Sequence, residues 1–381
     1  MNMFLFLFAL CLSEEPFKTV LFVPGDEGSK QYRIPSVTTC LDGTLIAVTD
    51  KRWNHGGDLP AKIDVVAKRS TDNGKTWGET ITIASGNPNG YGDAALVVDR
   101  ETGTVLCIFN GDNGFWQSTP TNPIRNYVSK SFDNGKTWTK PVDITPMLYG
   151  AECPHPERSK WLGMFVTSGA AIQLRSGRIM LVGVTRVPTA SGIHDYVVYS
   201  DDCGDTWDIG LTAGCDRGDE SKVIELNNGD VLMSIRHAPY RYQAISHDKG
   251  LTFDDYTERK DIPDPACNGE ILRYTSTKDG YDKDRILFVN DYSTAGRKNL
   301  TMKLSYDEGK TWAVEKNLHP AGSAYSAITI CNDGTIVVYF EDEQYGDGEH
   351  MTIMTFSLEW LTDGKDKWTP SNPAKVKKGK K

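Results

Sequence analysis

The chain has 381 residues, 39% of them hydrophobic, enough for one large core or two domains. Thirty-six glycines, 18 prolines and an aromatic content of 10%, with few Ala/Leu/Glu/Lys runs, weigh against a helical protein and toward β structure. A net charge of −9 argues against a nucleic-acid partner or an anionic membrane surface, so any anionic ligand would need a local cluster of cations.

From the N-terminus, "MNMFLFLFALCL" is too short to span a bilayer and reads as a signal-peptide core, giving a leader over 1–13. A secreted or cell-surface protein is therefore expected, and no later stretch is suited to crossing a membrane. "FKTVLFV" (17–23) reads as a strand, expected to pair with "HMTIMTFSLEW" (350–360) near the other end. Between them, six segments repeat a tight turn followed by an apolar strand: "LDGTLIAVTD" (41–50), "ETGTVLCIFN" (101–110), "RSGRIMLVGV" (175–184), "NNGDVLMSIR" (227–236), "DKDRILFVND" (282–291) and "NDGTIVVYFE" (332–341).

A second repeat is interleaved with the first. "KRSTDNGKTW" (68–77), "SKSFDNGKTW" (129–138), "SDDCGDTW" (200–207), "SHDKGLTF" (246–253) and "KLSYDEGKTW" (303–312) share the pattern S-x-D-x-G-x-T-[WF]. The Asp suits backbone N–H groups across a turn, the Gly suits positive φ, and the aromatic suits packing beneath a neighbouring sheet. A calcium loop fits poorly, because Thr-Trp falls where further ligands should come and no closing Glu follows. A small β unit recurring at this spacing buries its faces only against copies of itself, which predicts a radial array. We therefore expect an all-β, six-bladed β-propeller of four-stranded antiparallel blades over 14–362. The five boxes join third and fourth strands, and a polar, basic tail covers 363–381. The eight cysteines form no CxxC pair or zinc spacing and read as small buried hydrophobes.

In a propeller the ends of the inner strands meet on one face, so polar residues interrupting apolar strands are the candidates for chemistry. Arg33 in "QYRIPSV", Arg236 closing "VLMSIR" and Arg297 after "NDYSTAG" fall at comparable places in different repeats. Three guanidiniums together suit a carboxylate, which each can grip with a planar fork of donors. Phe115 and Trp116 in "NGDNGFWQ" are candidate walls of an apolar pocket.

"YRIP" followed by five such boxes resembles the sialidase (neuraminidase) family of exo-α-sialidases, over about residues 17–360. The resemblance implies that Arg33, Arg236 and Arg297 clamp the sialic acid carboxylate, and that Glu341 orients the first of them. It implies Tyr325 as nucleophile, Glu220 as its base and Asp58 as acid/base. Asp64 competes with Asp58 but sits in the strand-like "KIDVVAK". Arg52 is implied as the ligand of a ring hydroxyl, Asp93 as a substrate-binding residue, and Phe115 and Trp116 become walls for the N-acetyl group. The expected reaction hydrolyses terminal α-linked sialic acids of glycoproteins, glycolipids or oligosaccharides with retention. No cofactor or metal is expected, and the chain is expected to act as a monomer. A trans-sialidase and an inactive sialic acid lectin are the alternatives, the second disfavoured because all three catalytic residues are present.

Overall fold

The computed structural model describes residues 14–372 apart from residue 87, together with residue 374; the expected leader and the last seven residues of the basic tail lie outside the described residues. All six turn-plus-apolar segments are strands: Leu45–Arg52, Val105–Asp112, Ile179–Arg186, Val231–Ile235, Arg285–Asp291 and Ile336–Asp342. They are buried along nearly their whole length. Burial on both faces of a strand means that its sheet is covered on both sides, which stacked blades provide.

The ladders resolve into antiparallel sets of four. The first runs Gln31–Thr39, Leu45–Arg52, Ile63–Ser70, Ile81–Ala84, and the second Tyr91–Val98, Val105–Asp112, Ile124–Ser131, Val142–Asp143. In the third, Gly163–Val166 and Ile172–Gln173 share the partner Ile179–Arg186, followed by His194–Ser200 and Asp208–Ile209. The fourth runs Lys222–Glu225, Val231–Ile235, Tyr240–Ser246, Asp254–Pro263. The strand Val314–Ile330 serves two sets: it closes the fifth by pairing with Lys298–Ser305, then opens the sixth by pairing with Ile336–Asp342. Phe17–Phe22 completes the sixth set, antiparallel to His350–Phe356 with Phe17 opposite Thr355, so the expected pairing of the two chain ends forms. First strands lie against one another, with Gln31–Thr39 touching both Tyr91–Val98 and Val314–Ile330. The protein is an all-β propeller; six blades is our count from these ladders.

Apolar clusters fill the spaces between consecutive sets, and the box aromatics feed them. Trp77 packs between the sixth and first sets, Trp138 between first and second, Trp207 between second and third, Phe253 between third and fourth, and Trp312 between fourth and fifth. Each box is held alike. In the first, Ser70 Oγ accepts from Gly74 N at 3.0 Å, and Asp72 accepts from Thr76 N at 2.9 Å and its hydroxyl at 2.6 Å. Gly74 has φ 84° and Asn73 before it 57°, a left-handed pair that explains the invariant Gly of the pattern. Those bonds hold Asp72 down to about 2, the Thr76 hydroxyl contributing most.

The space between the fifth and sixth sets has no box and is sealed instead by Trp360 and Trp368 from the C-terminal segment. The expected boundary at 362 thus falls inside packed structure, because Asp366 is buried and ion-paired with Arg285 at 2.8 Å. The seven described cysteines are free, and all but the half-buried Cys203 are buried. Among the described residues no helix is long and apolar enough to cross a membrane.

Candidate active site

Four of the first strands break register, and three of the breaks carry an expected site residue, the one between Arg273 and Thr275 carrying none. Pairing shifts between Arg33 and Ser36, between Gly92 and Ala95, and between Ser323 and Ser326. A bulge frees a residue from the alternation of the ladder and re-aims its side chain. Arg33 and Ile34, Asp93, and Tyr325 sit at these places. Ile34 has φ 65° and Asp93 φ 57°, left-handed values that are costly for a β-branched residue in particular.

One carboxylate compensates two of the bulges. Glu341, fully buried in Ile336–Asp342, accepts from Ile34 N at 2.7 Å and Tyr325 N at 3.1 Å. The same carboxylate takes both Nε and Nη2 of Arg33, at 3.1 and 3.0 Å. Burial alone would push Glu341 up, but Arg33 and the two N–H groups hold it below the usual carboxylate range. Glu341 therefore fixes the Arg33 and Tyr325 strands relative to each other, which extends its expected role beyond orienting Arg33.

Tyr325 stands at the centre of the cluster. Its hydroxyl donates to Glu220 Oε2, and Arg236 Nη1 donates to the same carboxylate oxygen and, at 2.9 Å, to the Tyr325 hydroxyl. The guanidinium carbons of Arg33, Arg297 and Arg236 lie 5.4, 5.5 and 5.8 Å from the centre of the Tyr325 ring. Arg33 pairs with Glu341 and, at 3.6 Å, Glu349, and Arg236 with Glu220 and, at 3.5 Å, Asp219, whereas Arg297 has no carboxylate partner among the described residues. Arg297 is thus the guanidinium of the three left without a carboxylate among the described residues, and so the one best placed to take a ligand anion. Burial first, then the charge of Glu220, pushes the Tyr325 phenol well above its ordinary value, so the resting residue is neutral.

These groups open into a cavity of about 310 Å³. Of the expected residues, Arg33, Asp58, Asp93, Phe115, Trp116, Glu220, Arg236, Arg297 and Tyr325 line it. Asp93 carries a carboxyl that burial and the charges of Asp50 and Asp58 push well above the usual range. Arg52 and Glu341 lie outside the lining. Asp64 does too: it is buried in Ile63–Ser70 and accepts from Trp53 Nε1 at 2.8 Å, while Asp58 occupies the exposed loop at the mouth.

Sequence reasoning missed Ile34, Leu59, Ile124, Phe165, Ile193 and Asp219 in the lining, and Asp50 beneath it. Phe165 meets Phe115 edge-on at 4.9 Å, so the apolar wall comes from two different sets. Nothing in the local sequence marks Phe165 or Ile124 as different from core residues. Asp50, a charge inside the apolar run "LIAVTD", was the one legible signal.

A neutral phenol held by a carboxylate and faced by three guanidiniums is suited to work beside an anionic ligand. The chain belongs to the BNR repeat-like domain family, whose model matches residues 52–338, and within it to the sialidases. It is 34% identical over 365 residues to a sialidase of Micromonospora viridifaciens, covering 90% of this chain and 54% of that one. A sialidase of Bacteroides fragilis (strain YCH46) is 29% identical over 364 residues, 88% of this chain and 63% of that one. The chain therefore spans only a little over half to under two thirds of these two relatives. Among solved structures, the Hadza microbial sialidase Hz136 superposes with a TM-score of 0.78 at 27% identity, over 89% of this chain and 68% of that one.

Proposed function

We propose that this protein is an exo-α-sialidase that releases terminal α-linked sialic acid from glycoproteins, glycolipids or oligosaccharides, with retention at the anomeric carbon. The observation that carries the reading is the Tyr325 hydroxyl donating to Glu220 inside a ring of three guanidiniums. Sialic acid bears its carboxylate on the anomeric carbon itself. A carboxylate nucleophile would approach that charge against repulsion, and a neutral phenol does not. Sialidases with a Tyr nucleophile depart from the two-carboxylate scheme of most glycosidases.

In this reading Arg33, Arg236 and Arg297 hold the substrate carboxylate and stabilise the oxocarbenium-like transition state. Tyr325 Oη forms a bond to the anomeric carbon while Glu220 takes the phenolic proton. As the glycosidic C–O bond breaks, its oxygen receives a proton from Asp58. Asp58, now ionised, removes a proton from water, which attacks the anomeric carbon on the vacated face. The Tyr325–carbon bond breaks, Glu220 returns the proton to the phenolate, and the sugar leaves as the α anomer. Asp93 faces the substrate from the second set, and the wall of Phe115, Trp116 and Phe165 receives the N-acetyl group. Secretion or display at the cell surface belongs to the same reading, because such substrates lie outside cells.

The test is NMR of the products formed from 3′- and 6′-sialyllactose, with and without excess lactose. Free α-sialic acid as the first product is expected. A β first product contradicts the mechanism, transfer to lactose makes the protein a trans-sialidase, and no turnover of any sialoside overturns the reading.

A further inference from the structure

Arg186 ends the strand Ile179–Arg186 of the third set, yet its guanidinium reaches back to the second. Nη1 donates to the Phe115 carbonyl at 2.8 Å and to the Trp116 carbonyl at 3.1 Å, one hydrogen to each. No carboxylate pairs with Arg186 among the described residues, so backbone is what this cation holds. Its guanidinium carbon lies 5.4 Å from the centre of the Trp116 ring and 5.8 Å from that of Phe115, close enough for the charge to favour both rings. A glycine makes room for the first carbonyl: Gly163 pairs with Arg186 across the ladder, and a Cβ there would stand 3.2 Å from the Phe115 oxygen. Two residues on, and so on the same face of that strand, Phe165 meets the Phe115 ring edge-on at 4.9 Å. By contrast Trp116 is 66% exposed on the cavity wall. A loop tip carrying an exposed ring has many conformations to lose before it can present a surface of fixed shape.

We propose that Arg186 is a positioning residue that sets the selectivity of the cavity for the substituent at carbon 5 of the sugar. By tying the carbonyls of Phe115 and Trp116 to the third set, it holds their rings with Phe165 as one wall. An acetamido group offers such a wall a methyl group and a flat amide, and a hydroxyl in its place offers neither. Without the tether the tip is free to move, and the preference for the larger, less polar substituent goes with it. Nothing in the stretch "VTRVPTA" links Arg186 to a loop 70 residues earlier. The proposal rests on the reading above that this chain acts on sialic acids and that this wall receives the N-acetyl group.

Two substrates with the same leaving group separate this role from a general structural one: the methylumbelliferyl α-glycosides bearing acetamido or hydroxyl at carbon 5. The wild type is expected to favour the acetamido sugar by about 10-fold or more in kcat/KM, the scale on which an apolar pocket distinguishes small groups. In Arg186→Met that preference should fall by about 10-fold, through KM for the acetamido sugar, while kcat/KM for the hydroxyl sugar stays within about 3-fold. Arg186→Lys keeps three hydrogens on one nitrogen, enough for both carbonyls, and should retain most of the preference. Should Arg186→Met fail to fold, Gly163→Ala crowds the Phe115 carbonyl with Arg186 intact, and the same loss of preference is expected. Equal losses on the two sugars, an unchanged preference, or Arg186→Lys no better than Arg186→Met would overturn the positioning role. Amide exchange over residues 113–117 provides a readout free of activity: it should accelerate in Arg186→Met, and unchanged exchange there refutes the tether. A wild type that turns over both sugars without preferring acetamido removes selectivity from this wall and sinks the proposal. A wild type that turns over neither sinks the functional reading, leaving the exchange measurement to judge the tether alone.

Discussion

Tyr325 combines two properties that pull against each other. Burial and Glu220 keep its proton on, yet the role of nucleophile proposed for it requires that the proton leave as the bond to carbon forms. Arg236, which donates to both partners, favours the phenolate and so acts on the charged state that the transition state resembles. A difluorinated sialic acid should therefore leave a covalent adduct whose mass maps to the peptide containing Tyr325. Tyr325→Phe should show none, and Glu220→Gln should form it slower by about 10²–10⁴-fold, because the phenol keeps its proton. Mass spectrometry of the digested protein decides this: label on another residue, or label surviving Tyr325→Phe, refutes the mechanism. These residues were legible because each stands in a local pattern, such as "YRIP" or the Arg closing an apolar strand. Phe165, Ile124 and Ile193 were not, since each looks like a core residue until the ring brings its blade to the cavity. Nor could the sequence reveal that Arg52 faces two carboxylates, Asp50 and Asp58, which depends on the path of the loop after it.

The boxes show the same division at the level of elements. Their turn chemistry was readable because it is local: Ser, Asp, Gly and Thr satisfy one another within seven residues. How deeply each aromatic is buried was not readable, because the neighbouring set decides it. Trp207 is 4% exposed, whereas Trp138 is only half-buried. Trp207→Ala should accordingly cost about 3–5 kcal/mol and Trp138→Ala less, about 2–3 kcal/mol. Both should leave the inhibition constant of a sialic acid analogue unchanged. Urea unfolding with parallel inhibition assays checks this, and a Trp138→Ala protein that keeps its stability but loses binding would make the box part of the site. The third set keeps its turn-plus-strand segment and its box but departs from the repeat at its inner edge. Its first strand is split, and Gly169–Ala170 pairs in parallel with Tyr91–Val98. At Gly169 φ is 96° and a Cβ would meet Glu270 Oε2 at 2.5 Å. That close approach across the centre of the ring leaves no local signature beyond one glycine among 36.

Closure of the whole molecule depends on both ends of the described chain. Phe17–Phe22 completes the sixth set, and the segment from Leu358 onward, with Trp360 and Trp368, seals the space that no box aromatic fills. The anchor of that segment is Asp366, which receives Arg285 Nε at 2.8 Å and Nη2 at 2.9 Å, with the Tyr306 hydroxyl also at 2.8 Å. Arg285 is fully buried, so removing Asp366 strands a charge that Asp282 satisfies only in part. Asp366→Ala is expected to lose about 3–5 kcal/mol, and Asp366→Asn less, because an amide still accepts one bond. The pH dependence follows from the direction of the shift. Burial opposes ionisation of Asp366, but Arg285, Lys283 and Tyr306 hold its carboxyl far below the ordinary value of 3.8. Its contribution is therefore complete above about pH 4, where the unfolded chain is also ionised. It is lost as pH falls toward the depressed folded value, because the unfolded chain takes up a proton that the folded one refuses. The stability gap between wild type and Asp366→Asn should be constant from pH 7 to pH 5 and shrink between pH 4 and pH 2. Urea denaturation across that range measures it. A gap that stays constant to pH 2 would mean that the ion pair does not hold the seam, leaving Trp360 and Trp368 to close the ring by packing alone.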